Sequence, residues 1–302
     1  MTTPSPQETP ASAGGLWLGL PVVVRAVIVG GVVATSGTMP WALLVRENTK
    51  HGSSVPWAVP VMAAYLWLYW LYFVRGRGWP RSTADARRRD ARANPVPDDV
   101  WGAVLLAWML GIAAVLLLQG VLSRLVTLPQ QQDIDPSKYP LITVALWVVM
   151  GAVVAGVVEE SAFRGYLQRP IERRHGFVIA VLINGVAFGF AHFVHPEVGI
   201  ALLPFYVGVA AVYGALAYHT DSILPGMVLH AGGNMFAALN LFAGGRSEWH
   251  LLATPAPLIW ETGPDAAFWG SLAAFLTVSV LAVWAFAGLA SAARAARARS
   301  GS

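Results

Sequence analysis

Apolar runs alternate with polar ones along this chain. Eight apolar stretches stand out: one within Leu16–Leu44, then about Val55–Val74, Val100–Leu122, Leu141–Phe163, Phe177–Val194, Val198–Tyr218, Ser222–Phe242 and Ala266–Ala290. Each can hold a helix of roughly 18–25 residues, enough to cross a hydrocarbon core about 30 Å thick at 1.5 Å per residue. The pattern predicts an all-α fold, a polytopic membrane helical bundle of about eight transmembrane helices, with no internal repeat.

The polar segments set the expected orientation. Residues 1–15 are rich in Pro, Ser and Thr, lack Lys and Arg, and read as a disordered tail; no basic n-region marks a signal peptide. Seven arginines lie between Arg75 and Arg92, which predicts a solvated inner loop, with lipid head-group binding as the alternative. With eight spans, Arg75–Arg92, Arg164–Arg174 and the tail arginines Arg294, Arg297 and Arg299 share one side, fourteen charges in all. Arg46, Lys50, Arg124, Lys138 and Arg246 make five on the other. The positive-inside rule then makes both termini cytoplasmic. The expected divisions are the tail at 1–15, N-terminal helices at 16–140 with a basic cytoplasmic loop at 75–99, a core at 141–243, an outer loop and last helix at 244–290, and a basic cytoplasmic tail at 291–302.

Composition narrows the class. Of 302 residues, 56% are hydrophobic and only 12% are charged, against roughly 25% charged in soluble domains. There is no cysteine, which removes disulfides, thiol catalysis and Cys-ligated metals. The formal charge of +4 is clustered beside the spans, as topology and anionic lipid require, and no nucleic-acid motif accompanies it.

Three clusters carry candidate chemistry. The fourth span ends in Glu159-Glu160 with Arg164 four residues on. Glu160 and Arg164 share a helical face in the favourable acid-first order, whereas Glu159 points about 100° away and is unpaired by spacing. An unpaired, partly desolvated Glu suits a general base; a paired one suits a supporting role. Alone, the trio could simply cap a span. His192 lies in an apolar stretch on the face of Phe188, where a satisfied core histidine is the bland alternative; His195 follows, expected at the outer surface. His230 and Asn234 share a face, separated by Gly232 and Gly233, and could be an interhelical hydrogen-bond pair or two oxyanion donors. Together they supply what water-driven amide hydrolysis needs: a base (Glu159) helped by an imidazole (His192), and two donors (His230, Asn234). No His-Glu-x-x-His helix, no Gly-x-Ser-x-Gly elbow around Ser161 and no Asp within a span offers a rival protease chemistry.

Glu159-Glu160-x-x-x-Arg164, Phe188-x-x-x-His192 and His230-x-x-x-Asn234, in that order, resemble the three motifs of the CAAX prenyl protease type 2 and bacteriocin-processing (CPBP, ABI) family of intramembrane proteases. The flanks Phe163–Gln168 and Ser222–Pro225 are similar too, and the likeness covers about 155–240. Asp221 departs from the Gly common there. The resemblance implies that 141–243 is a protease core, a membrane endopeptidase acting on membrane-associated peptide or protein substrates. Glu159 and His192 would activate water, His230 and Asn234 would stabilise the oxyanion, and Glu160 and Arg164 would support them. No cofactor is favoured; a zinc version would use Glu159, His192 and His230. The Ala/Arg/Gly-heavy composition suggests a bacterial cell membrane. A non-catalytic peptide-binding immunity or scaffold protein and a proton-coupled transporter are the other classes considered.

One expectation conflicts with straight spans. Glu159 lies about 27 Å along its span and His192 about 22 Å along the next, which starts from the opposite direction. The two meet only if the fourth span continues as helix past Arg164 or if 165–180 re-enters the membrane, around a wet cavity open to the cytoplasm.

Overall fold

In the computed structural model the described residues are 17–50, 54–127, 139–192, 196–243 and 257–300; His195, the tail at 1–15 and the loop centred on Gln130–Asp133 lie outside them. Every regular element among them is helical. The order is α1 (Val22–Lys50), α2 (Ala58–Tyr69, extended by a π turn at Trp70–Val74), α3 (Ala84–Ala91), α4 (Trp101–Leu122), α5 (Leu141–Glu159), a π-helical segment (Glu160–Leu167) and α6 (Gln168–His175). Then follow α7 (Phe177–Ala191), α8 (Pro196–Ala201), α9 (Leu203–Thr220), α10 (Leu224–Ala243), α11 (Ile259–Thr262) and α12 (Ala266–Ser300).

Among the described residues, four helices are long and apolar enough to cross a membrane: Val22–Lys50, Asp98–Leu122, Leu141–His175 and Ala266–Arg299. Ala58–Val74 and Phe177–Ala191 are apolar but shorter. The chain is therefore a helical membrane protein. Several boundaries move outward from those expected. The first helix runs on to Lys50, and the last continues to Ser300, so the basic tail is mostly helix. The largest change is at Glu159-Glu160. These residues do not end the fourth span; α5, the π segment and α6 form one helix of 35 residues. Glu159 thus lies about 27 Å from one end and about 24 Å from the other. A single helix continuing past Arg164 removes the need for re-entrant backbone.

The helices are tied where their own hydrogen bonding fails. Pro40 inside α1 has no N–H for the Ser36 carbonyl. The Tyr65 hydroxyl of α2 donates to that carbonyl, and Tyr69 donates to Val33 O. α4 and α12 are antiparallel and tied at both ends: Arg124 pairs with Asp265 at 3.1 Å, and Arg299 pairs with Asp99.

The arginine-rich segment is not uniformly solvated. Arg75, Arg77, Arg81, Arg88 and Arg89 are exposed, but Arg87 and Arg92 are buried. Arg87 donates to the carbonyls of Tyr72, Gly76, Arg77, Gly78 and Pro80 and lies over the Tyr72 ring. Five acceptors explain why a guanidinium is worth burying here: a planar fork satisfies a turn that has no ladder of its own. Arg92 crosses to the π segment, where its Nη2 donates to Arg164 O at 2.9 Å, and it pairs with buried Glu172 of α6 at 3.2 Å. Burial lowers the Arg92 guanidinium from its usual range, and the Glu172 carboxylate opposes that shift.

Asp221 has φ +52°, the left-handed region in which Gly carries no Cβ penalty and Asp is among the tolerated residues. Asp also adds bonds Gly lacks. Its carboxylate accepts from Asn94 at 3.2 Å and pairs with Arg169 at 2.8 Å. Ser222 Oγ donates to Asn94 O, and Ile223 N–H to Arg92 O. The polar segments at 92–94, 169–173 and 221–223 and the end of α12 are thereby gathered at one end of the bundle; Arg173 meets Asp90, and Arg297 donates to His219 O.

At the other end, the bonds from Arg124 and from the Phe268 N–H hold the Asp265 carboxyl below its usual 3.8. A depressed carboxyl stabilises the fold above its ordinary pKa and loses that contribution as pH falls through the folded value. Asp265→Asn is therefore expected to flatten the fall in melting temperature of the detergent-solubilised protein below about pH 4, read by scanning fluorimetry against wild type.

Candidate active site

The π segment begins at Glu160 and ends at Leu167, so its wider turns carry the acid-acid-arginine run into the bundle. Segments of this kind recur at functional sites because they re-aim side chains without breaking the helix. Glu160 is fully buried and Glu159 is 15% exposed.

Glu160 Oε1 lies 2.9 Å from His230 Nδ1 and 3.3 Å from Arg164 Nη1. A carboxylate accepts, so His230 donates through Nδ1–H and its Nε2 is left facing Glu159, 3.8 Å away. The His230 ring thus stands between the two carboxylates. Two glycines make room. A Cβ on Gly226 would come 2.5 Å from Glu160 Oε2, and one on Gly156 would come 2.6 Å from Met227 O. α5 and α10 can close over the buried carboxylate only where these two side chains are missing.

Arg164 is fully buried, and its guanidinium meets the Phe188 ring at 5.0 Å and the Tyr213 ring at 5.2 Å. Tyr213 in turn stacks on His230 at 4.9 Å and accepts from Trp108 Nε1 at 3.2 Å. Desolvated cations gain most from such aromatic faces. Phe188 is therefore a packing partner of the arginine as well as the base on which His192 rests. Phe163 crosses it edge-on at 4.9 Å.

The structure brings Glu159, Glu160, Arg164 and His230 into one cluster. Asn234 lies one turn beyond His230 on α10 and is half-buried. His192 is not in direct contact with the cluster. Its ring lies on Phe188 at 4.3 Å and on Tyr206 at 5.4 Å, and its Nδ1 donates to Phe188 O at 2.8 Å. With Nδ1 held on Phe188 O, Nε2 is the ring nitrogen left for another partner. Among the described residues no three His, Cys, Asp or Glu side chains form a group that could hold a metal ion.

Residues 141–236 match the family model of the type II CAAX prenyl endopeptidases, Rce1-like. The match spans about a third of the chain. No curated protein and no solved structure matches the chain. The Rce1-like segment runs from the start of α5 into α10 and contains all three motifs. The matched model describes a peptidase family.

Several residues of the site were not legible as such in the sequence. Trp108 of α4 and Arg92 lie outside the Rce1-like segment yet reach Tyr213 and Arg164 O. Tyr213 had no motif to mark it. Gln168 and Glu172, four apart, were the available signal for a buried polar face on α6; Gln168 also donates to Gly214 O and accepts from Asn184.

Two outcomes follow from this packing. Arg92→Ala leaves Glu172 with Arg169 at 2.9 Å and Gln168 as partners and removes the Arg92 donor from Arg164 O, and is expected to destabilise the protein by about 1.5–3 kcal/mol, with Arg92→Met/Glu172→Leu recovering part of the loss. Denaturation in detergent measures both. Gly156→Ala and Gly226→Ala should both lower the melting temperature: the first pushes against backbone, and the second against the enclosed Glu160 side chain, which its two partners hold in place.

Proposed function

We propose that this protein is an intramembrane endopeptidase that cleaves membrane-associated peptide or protein substrates with water activated by Glu159. The observation that carries the proposal is the Glu160–His230–Arg164 cluster at mid-helix, with a partly exposed Glu159 facing the free nitrogen of His230. A carboxylate at that depth is costly unless it is used or paired, and Glu160 is paired whereas Glu159 faces an imidazole across a gap wider than a hydrogen bond.

In the proposed reaction Glu159 takes a proton from water as the oxygen attacks the scissile carbonyl carbon. The His192 Nε2, turned away from its own helix, orients that water. The His230 ring and the Asn234 amide donate to the oxyanion. Collapse of the tetrahedral intermediate breaks the C–N bond, and the proton held by Glu159 passes to the departing amine. Glu160 holds His230 through Nδ1, and Arg164 neutralises Glu160. The same reading makes the gathered arginine-rich end cytoplasmic, with the protein spanning a bacterial cell membrane many times.

Purified protein in detergent, offered a peptide library read by mass spectrometry, tests this. Glu159→Gln should lower cleavage by about 10²–10⁴-fold with the fold intact, and a chelator should leave wild-type cleavage unchanged. Loss with chelator and recovery with zinc would overturn the metal-free reaction. Wild-type peptide capture without cleavage, retained in Glu159→Gln, would instead mark a binder of the immunity or scaffold kind.

A further inference from the structure

A cavity lies away from the candidate active site, at the arginine-rich end of α2. Its volume is about 520 Å³, and its walls are Trp67, Trp70, Leu71, Arg75, Arg77 and Arg88. The two halves of that wall differ in chemistry. Trp67, Trp70 and Leu71 are three and four residues apart, so they share one helical face. Trp67 and its neighbour Leu68 are among the most exposed large apolar residues of α2, as is Val61 further along. The other half is three guanidinium groups against a single carboxylate, Asp85, which pairs with Arg88. Arg75 also lies over the Trp70 ring at 5.7 Å.

The basic wall is held in place. Arg75 N–H and Arg77 N–H close turns onto Trp70 O and Leu71 O at 2.9 and 2.8 Å. Gly76 has φ +64°, and a Cβ there would come 2.5 Å from Ala84 O, so the turn is pressed against α3. Buried Arg87 spans the same turn with its five carbonyl bonds. Arg75 and Arg77 are thus presented by a braced loop, and Arg88 by α3 packed against it.

We propose that this cavity binds the head group of an anionic phospholipid. The phosphate would be held by Arg75, Arg77 and Arg88, with the acyl chains lying along the exposed face of α2. Guanidinium forks match phosphate oxygens, and Trp rings settle at the boundary of hydrocarbon and head groups. The apolar half of the wall and the exposed α2 face are what distinguish a lipid from free phosphate, which has no use for them.

Native mass spectrometry of the full chain, titrated in detergent with phosphatidylglycerol or phosphatidylcholine, tests the site. A saturable phosphatidylglycerol adduct is expected, retained under activation that strips phosphatidylcholine. Arg75→Gln/Arg77→Gln should raise its half-saturation concentration roughly thirtyfold. Arg174→Gln, an exposed arginine elsewhere at the same end, should leave it unchanged. Inorganic phosphate at the same concentration should not displace the lipid. Equal retention of the two lipids, wild-type binding by the double variant, or displacement by phosphate alone would each overturn the assignment. A melting curve for each variant confirms that it is folded, and Arg75→Gln alone serves as the second variant, with a smaller shift in the same direction.

Discussion

Everything in the central part of the bundle depends on one buried carboxylate. Glu160 is fully enclosed, and in that environment an isolated charge costs several kcal/mol or more. The cost is met from two directions: Arg164 on its own helix and His230 from α10. Each partner makes its own demands. The guanidinium needs aromatic faces, which Phe188 and Tyr213 supply, and the imidazole needs a stacking surface, which is again Tyr213. α7, α9 and α10 are therefore committed to the π segment by electrostatics as well as by apolar packing.

That commitment explains the position of the glycines. Ordinary side chains at 156 and 226 would hold α5 and α10 apart, and the carboxylate would lose His230. The π segment has the same logic. Wider turns let one continuous helix direct Glu160 and Arg164 into the interior while Glu159 stays partly open. A second buried ion pair, Arg92 with Glu172, fastens the far end of this helix and reaches back to the carbonyl of Arg164. The two charge clusters lie on the same helix, so a disturbance of one is transmitted to the backbone that carries the other.

Much of this was readable along the chain. Apolar runs long enough to span a bilayer made the helical membrane class plain, because hydropathy over such lengths has few other outcomes. The four-residue spacing of Glu160 and Arg164 follows from helical geometry alone, and the Rce1-like match over 141–236 covers the same three motifs. The arginine-rich segment was harder. Local composition marks it as solvated, yet Arg87 and Arg92 are buried, because the acceptors that hold Arg92 lie some eighty residues away in sequence and those of Arg87 arise only when its turn closes.

By itself, the sequence determined the helical class, the apolar spans and the identities of the charged residues that a bilayer would not tolerate unpartnered. Only the tertiary structure decided who the partners are. It set the His230 ring between Glu159 and Glu160, turned His192 onto its own helix, and brought Tyr213, Trp108 and Arg92 to the cluster. The reason is the range of the forces involved. Helix formation and hydropathy are set by neighbours within a few turns, whereas the pairing of a buried charge depends on which distant backbone can approach closely enough to share its cavity.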